Sequence, residues 1–181
     1  MYDLVIKGAE VADGTGAPLR TADVAVKDGR ISEVGKLNGG ARESVDGDGL
    51  VLAPGIVDVH THYDAQLTWD SNATPSPSMG VTTVVVGNCG FSIAPCPPDC
   101  RDLIARNLAE VEGMSLTALR SGTNWDFESF DEYLALLRRK GVTPNVAAFI
   151  GHSAVRTMVM GPEASERAAR DDEVVEMRDL V

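Results

Sequence analysis

Histidine and cysteine are scarce in this chain, three of each among 181 residues, so any metal or thiol chemistry must draw on few side chains. Three cysteines at irregular spacing form no disulfide framework, which excludes the small disulfide-stapled class of secreted domain. Basic residues are also few. Sixteen Lys and Arg stand against 27 Asp and Glu, a net charge of −11, and this disfavours nucleic acid or an anionic membrane as a partner because both need a cationic face. No apolar run approaches the ~20 residues that cross a bilayer. The first seven residues lack a basic segment leading into a long apolar core, so no secretory leader is visible and a reducing cytoplasm is the expected location. What is present is globular material. The hydrophobic fraction of 44% is too high for disorder, and the length suits one domain, or one and a part.

The first fifty residues read as short strands. Leu4–Ile6 and Val24–Val26 are apolar runs, Lys27-Asp28-Gly29-Arg30 is a hairpin signal, and Ile31–Val34 continues its second arm. Leu50–Leu52 follows Asp46-Gly47-Asp48-Gly49, which lacks the later bidentate Glu of a calcium loop and reads as a turn. No helical pattern interrupts, which predicts a small β module over 1–53. From Pro54 the pattern becomes strand, helix, strand. Ile56–Val59, the β-branched Val81–Val86 and Val146–Ile150 read as buried strands of a parallel sheet. Asp102–Glu112 and Ser129–Lys140 read as helices, the second with a capping box from Ser129 and Glu132, and Asp171–Val181 as a further one. The alternation predicts βαβ units, an α/β fold. Polar residues at three successive strand ends fit a TIM-type (β/α)8 barrel, which gathers its functional groups there. A full barrel takes ~250 residues, so 54–181 is expected to hold its first βα units. Such an incomplete barrel exposes an apolar edge and favours association when isolated.

His60 and His62 lie two residues apart at the polar end of a β-branched run, so both rings point to one side of a strand. They make either half of a divalent-metal site or two ordinary strand-edge histidines. Cys89, in Gly87-Asn88-Cys89-Gly90 directly after the second strand, is either a thiolate ligand or a buried thiol packed as a small hydrophobe. Cys96 and Cys100 sit in a proline-rich stretch without a second cysteine pair and read as loop residues. His152 is placed at the end of the third strand with Arg156 four residues on, where either holds a substrate carboxylate or serves a loop hydrogen bond. Trp69, Trp125 and Phe127 read as packing residues.

Asp58-Val59-His60-Thr61-His62-Tyr63-Asp64-Ala65-Gln66 resembles the metal motif of the amidohydrolase superfamily, in the form found in N-acyl-D-amino-acid deacylases (D-aminoacylases). The likeness continues through Gly80–Gly90, Ala94-Pro95, Glu112-Gly113, Trp125–Phe130, Tyr133, Asn145–Ala147 and Gly151–Ser153, nearly the whole chain. It implies one or two zinc ions, with His60 and His62 as the first ligand pair. Cys89 matches the zinc-binding cysteine of this branch, where many relatives use a carboxylated lysine. It also implies that the N-terminal strands begin a small β-sandwich, and that two more histidines and a general-base aspartate lie beyond Val181.

The implied substrate is a small N-acyl-D-amino acid, hydrolysed to a carboxylate and a D-amino acid. Zinc would lower the pKa of water from ~15.7 toward ~7 and polarise the acyl carbonyl, and the aspartate would relay the proton. A cyclic-amide hydrolase of the dihydropyrimidinase type is the nearest rival, disfavoured by the cysteine. A non-catalytic, truncated metal-binding module is the rival from another class.

Overall fold

The apolar run Leu4–Ile6 lies within β1 (Tyr2–Val11), which buries Val5, Ala9 and Val11. In the computed structural model, which describes residues 1–181, β1 is the hub of a five-stranded sheet. It pairs antiparallel with β2 (Arg20–Lys27), which pairs antiparallel with β3 (Arg30–Gly35). Asp28 and Gly29, both at positive φ (51° and 72°), form the two-residue turn between them, as the twist of a hairpin demands. β4 (Ala41–Asp46) and β5 (Val51–Leu52) join β1 in parallel, which makes the sheet mixed. Gly47–Gly49 is a turn, closed by the Leu50 N–H on the Gly47 carbonyl at 2.9 Å. These strands make up one compact unit, Met1–Pro54.

The second unit, Gly55–Val181, is built on a parallel three-stranded sheet in the order β6 (Ile56–Thr61), β7 (Val81–Val86), β8 (Asn145–Ala148). Helices α1 (Arg101–Glu112), α2 (Leu116–Gly122) and α3 (Phe130–Lys140) lie between β7 and β8 in the chain, and α4 (His152–Met160) and α5 (Asp171–Asp179) follow. Leu67, Ile93, Leu108, Leu119, Phe127 and Tyr133 lead the core of this unit. Trp125, Phe127 and Tyr133 stack in series, with ring centroids 5.8 and 5.3 Å apart, so Trp125 and Phe127 are packing residues. No helix is long and apolar enough to cross a membrane.

Three expectations are corrected here. β6 is not a buried strand: Val59 is 61% exposed, because β6 has β7 as its sole strand neighbour. The third strand stops at Ala148 rather than Ile150, and His152 opens α4 instead of closing a strand. Cys100 closes a single 3-10 turn, Pro98–Cys100, rather than lying in open loop.

Local chemistry explains α3 well. Ser129 Oγ accepts from the Glu132 N–H at 3.2 Å, while Glu132 Oε2 accepts from the Ser129 N–H at 3.0 Å. Ser129→Ala should lower stability by about 1 kcal/mol, read as a shifted denaturation midpoint at constant slope.

α5 is anchored differently. The buried Glu173 carboxylate takes two bonds from Arg167, at 2.6 and 2.7 Å, and one from the Arg170 N–H at 2.8 Å. The Arg167 pairing holds its pKa down at about 2, against an ordinary 4.5. Between those values the unfolded chain binds a proton that the folded chain refuses, so this stabilisation is complete above pH 4.5 and fades as pH falls toward 2. Glu173→Gln should flatten the acid-side loss of amide protection in α5 across that window.

Candidate metal centre

Strand parity sets the first half of the site. Thr61, between the two histidines, turns inward, is buried, and donates through Oγ1 to the Val85 carbonyl at 2.8 Å. His60 and His62 therefore project to the opposite side, with ring centroids 5.3 Å apart. Parallel pairing sets the second half. Thr61 lies opposite Val86, so the chain leaving β7 turns beside the histidines. Asn88 Nδ2 donates to the Val59 carbonyl at 2.8 Å and ties this turn to β6. Cys89 Sγ then stands 3.7 Å from His62 Nδ1 and accepts from the Phe91 N–H at 3.4 Å.

One ligand atom each from His60, His62 and Cys89 lies within 4.8 Å of the other two. Two imidazoles and a thiolate are borderline-soft donors, which suits zinc better than a hard cation. His60 is exposed and the other two are half-buried, which leaves the cluster open to an ion and to a small ligand.

Two carboxyl groups back the cluster. Glu112, the last residue of α1, is buried to 2% exposure, and its Oε1 lies 3.1 Å from His62 Nδ1, a ring that is 41% exposed. Burial pushes the Glu112 carboxyl up, against the pull of the His62 bond. Asp64 is buried too. Desolvation, with the Glu112 charge added, drives its pKa up to about 7. Tyr133 Oη donates to the Asp64 carbonyl at 3.0 Å and locks this layer to α3. One oxygen of each carboxyl, Asp64 Oδ2 and Glu112 Oε2, is buried without a protein partner. Both residues fall in the motif stretches of the resemblance, Asp64 in Asp58–Gln66 and Glu112 in Glu112-Gly113, but neither received a role from the sequence. The visible signal for Glu112 was a carboxylate at a helix C-terminus, where the dipole disfavours it.

The other sequence candidates lie elsewhere. Burial pushes the Cys96 thiol up to about 12 and raises Cys100 as well, so both are packed thiols. His152 and Arg156, on α4, line a cavity of about 380 Å³ with Val155, Val174 and Met177, and none of the three cluster residues lines it. Arg156 donates through Nε to the Ala164 carbonyl at 2.6 Å and through Nη2 to the Arg167 carbonyl.

The description "Amidohydrolase family" matches residues 43–181. The chain is 41% identical over 184 residues to a D-aminoacylase of Alcaligenes xylosoxydans xylosoxydans, covering 99% of this chain and 34% of that protein. Its fold superposes on a D-aminoacylase with a binuclear metal centre at a TM-score of 0.81 and 38% identity, over 99% of this chain and 35% of the other. It also matches the N-acyl-D-glutamate deacylase of Bordetella bronchiseptica, complexed with zinc and a phosphonate mimic of the tetrahedral intermediate. That TM-score is 0.80 at 36% identity, over 99% and 35% of the two chains. The chain spans about a third of the length of the relatives it matches.

Proposed function

The chain belongs to the amidohydrolase family, and from that membership we propose that it contributes the zinc-binding part of an enzyme that hydrolyses N-acyl-D-amino acids to a carboxylate and a free D-amino acid. The observation that carries this reading is the convergence of His60, His62 and Cys89 at the C-terminal ends of two adjacent parallel strands. Active groups of (β/α)8 barrels gather at that end. Under this reading 54–181 supplies the first βα units of such a barrel and 1–53 part of a small β-sandwich.

His60, His62 and Cys89 would hold the zinc. Once bound, zinc makes hydroxide available near neutral pH and polarises the acyl carbonyl. The chain's own residues do the positioning. Asn88 pins the Cys89 turn to β6, Thr61 fixes the side to which the histidines point, and Cys89 offers a charged donor in a reducing compartment such as the cytoplasm. His152, with its exposed ring, is carried as a group that meets the substrate carboxylate. Arg156 uses its Nε–H and one Nη2–H on carbonyls, so it would meet a carboxylate through its remaining N–H groups on Nη1 and Nη2.

The test is an assay of the full-length protein, supplied with zinc, on N-acyl-D-amino acids, their L-forms and cyclic amides. Release of free amine from the D-forms is the expected result. Opening of cyclic amides without action on the linear compounds would move the assignment to the dihydropyrimidinase type. Zinc binding with no hydrolysis of either would make the chain a non-catalytic metal module.

A further inference from the structure

We propose that Glu112 is a positioning residue of the metal centre: it holds the His62 ring through Nδ1 and so presents Nε2 to the ion. This inference rests on the zinc reading above. A neutral imidazole carries one N–H and one lone pair, and the group facing one nitrogen decides which nitrogen keeps the lone pair. Glu112 Oε1 lies 3.1 Å from His62 Nδ1. A carboxyl oxygen there accepts whether the other oxygen is protonated or not, so Nδ1 keeps the proton and the lone pair falls to Nε2. Cys89 Sγ competes for the same N–H but stands farther off, at 3.7 Å, and already accepts from the Phe91 N–H.

Two features separate this from an incidental ion pair. The Glu112 side chain is buried while the ring it grips is 41% exposed, so the anchored partner fixes the free one. The site is also costly for the helix. A carboxylate on the last residue of α1 opposes the helix dipole, and Glu112 Oε2 is buried without a partner. Helix stability alone would not place it there, whereas metal-binding histidines commonly donate their second N–H to a carboxylate.

The full chain labelled with ¹⁵N-histidine reads the tautomer directly by long-range ¹H–¹⁵N correlation, before and after zinc. We expect a proton on Nδ1 of His62 in both states. Competition with a chromogenic chelator reads zinc affinity. Glu112→Ala should weaken it by about 10–100-fold, the usual cost of losing such a partner. Glu112→Gln, whose amide oxygen still accepts, should recover most of that loss. A wild-type His62 protonated on Nε2 alone, or an alanine variant with unchanged zinc affinity, would overturn the proposal. Should the alanine variant fail to fold, the wild-type tautomer still decides. A full-length protein that binds no zinc refutes the zinc reading, while the tautomer separately reports the hold of Glu112 on the ring.

Discussion

Cys89→Ala should lower zinc affinity by more than about 100-fold and carry hydrolysis by the full-length protein down with it. Loss of a hydrogen-bonding partner behind a ligand costs about 10–100-fold, and loss of a ligand itself exceeds that. Of the three, Cys89 is the donor that would bring a full negative charge to a bound ion, because a thiol ligates as its thiolate. The comparison that isolates this effect lies within the same chain. Cys96→Ala removes a thiol that is fully buried, pushed up to about 12 and outside the cluster, so zinc affinity should not change. Cobalt substitution makes the contrast visible, since the cobalt–thiolate charge-transfer band should vanish in Cys89→Ala and persist in Cys96→Ala and Cys100→Ala. His60→Ala and His62→Ala should weaken binding while keeping the thiolate band at saturating cobalt. Undiminished zinc binding by Cys89→Ala would remove the cysteine from the site and leave two histidines too few to define one.

What the sequence made legible was what neighbouring residues settle among themselves. The Val81–Val86 run is β-branched throughout and folds as β7 with the predicted bounds. Ser129 and Glu132 cap α3 without help from the rest of the chain. The histidine pair was readable because a two-residue spacing on a strand fixes the side of both rings. Its meeting with Cys89 depends instead on the register of Thr61 opposite Val86, a tertiary fact that the strand ends only suggest.

Elements set by pairing rather than by side chains were missed. Ala41–Asp46 carries Arg, Glu, Ser and Asp with a single valine, and becomes β4 because its backbone lies in parallel register beside β1. α2 escaped notice because Thr, Ser and Gly dilute a helix of only seven residues. β6 misled in the opposite direction, since an apolar run reports strand preference and not whether a second neighbour covers it. Glu112 lies fifty residues from His62, and no local pattern joins the two. Its position at the C-terminal end of α1, unfavourable for the helix, was the remaining trace of a role elsewhere.

Gly87→Ala should be the most damaging single methyl in the second unit, at about 2–5 kcal/mol. Gly87 sits at φ +76°, where an L side chain costs roughly 1–2 kcal/mol. A Cβ there would also lie 2.3 Å from the Phe149 carbonyl oxygen and 3.2 Å from its carbon. That obstacle is backbone and cannot swing away, so forced repacking adds roughly 1–3 kcal/mol. Gly90 supplies the control three residues on. It has φ +88° with nothing within 4 Å of an added Cβ, so Gly90→Ala should cost only the conformational share. Denaturant midpoints at constant slope give the difference directly. Against a typical total of ~5–15 kcal/mol, the Gly87 loss would leave little margin. The same substitution reaches the chemistry. The turn that Gly87 begins carries Cys89 and is tied to β6 through Asn88, so zinc affinity should fall with stability. Equal destabilisation by the two substitutions would mean that the chain between β8 and α4 yields to the methyl, and that the arm bearing Cys89 is not braced against Phe149.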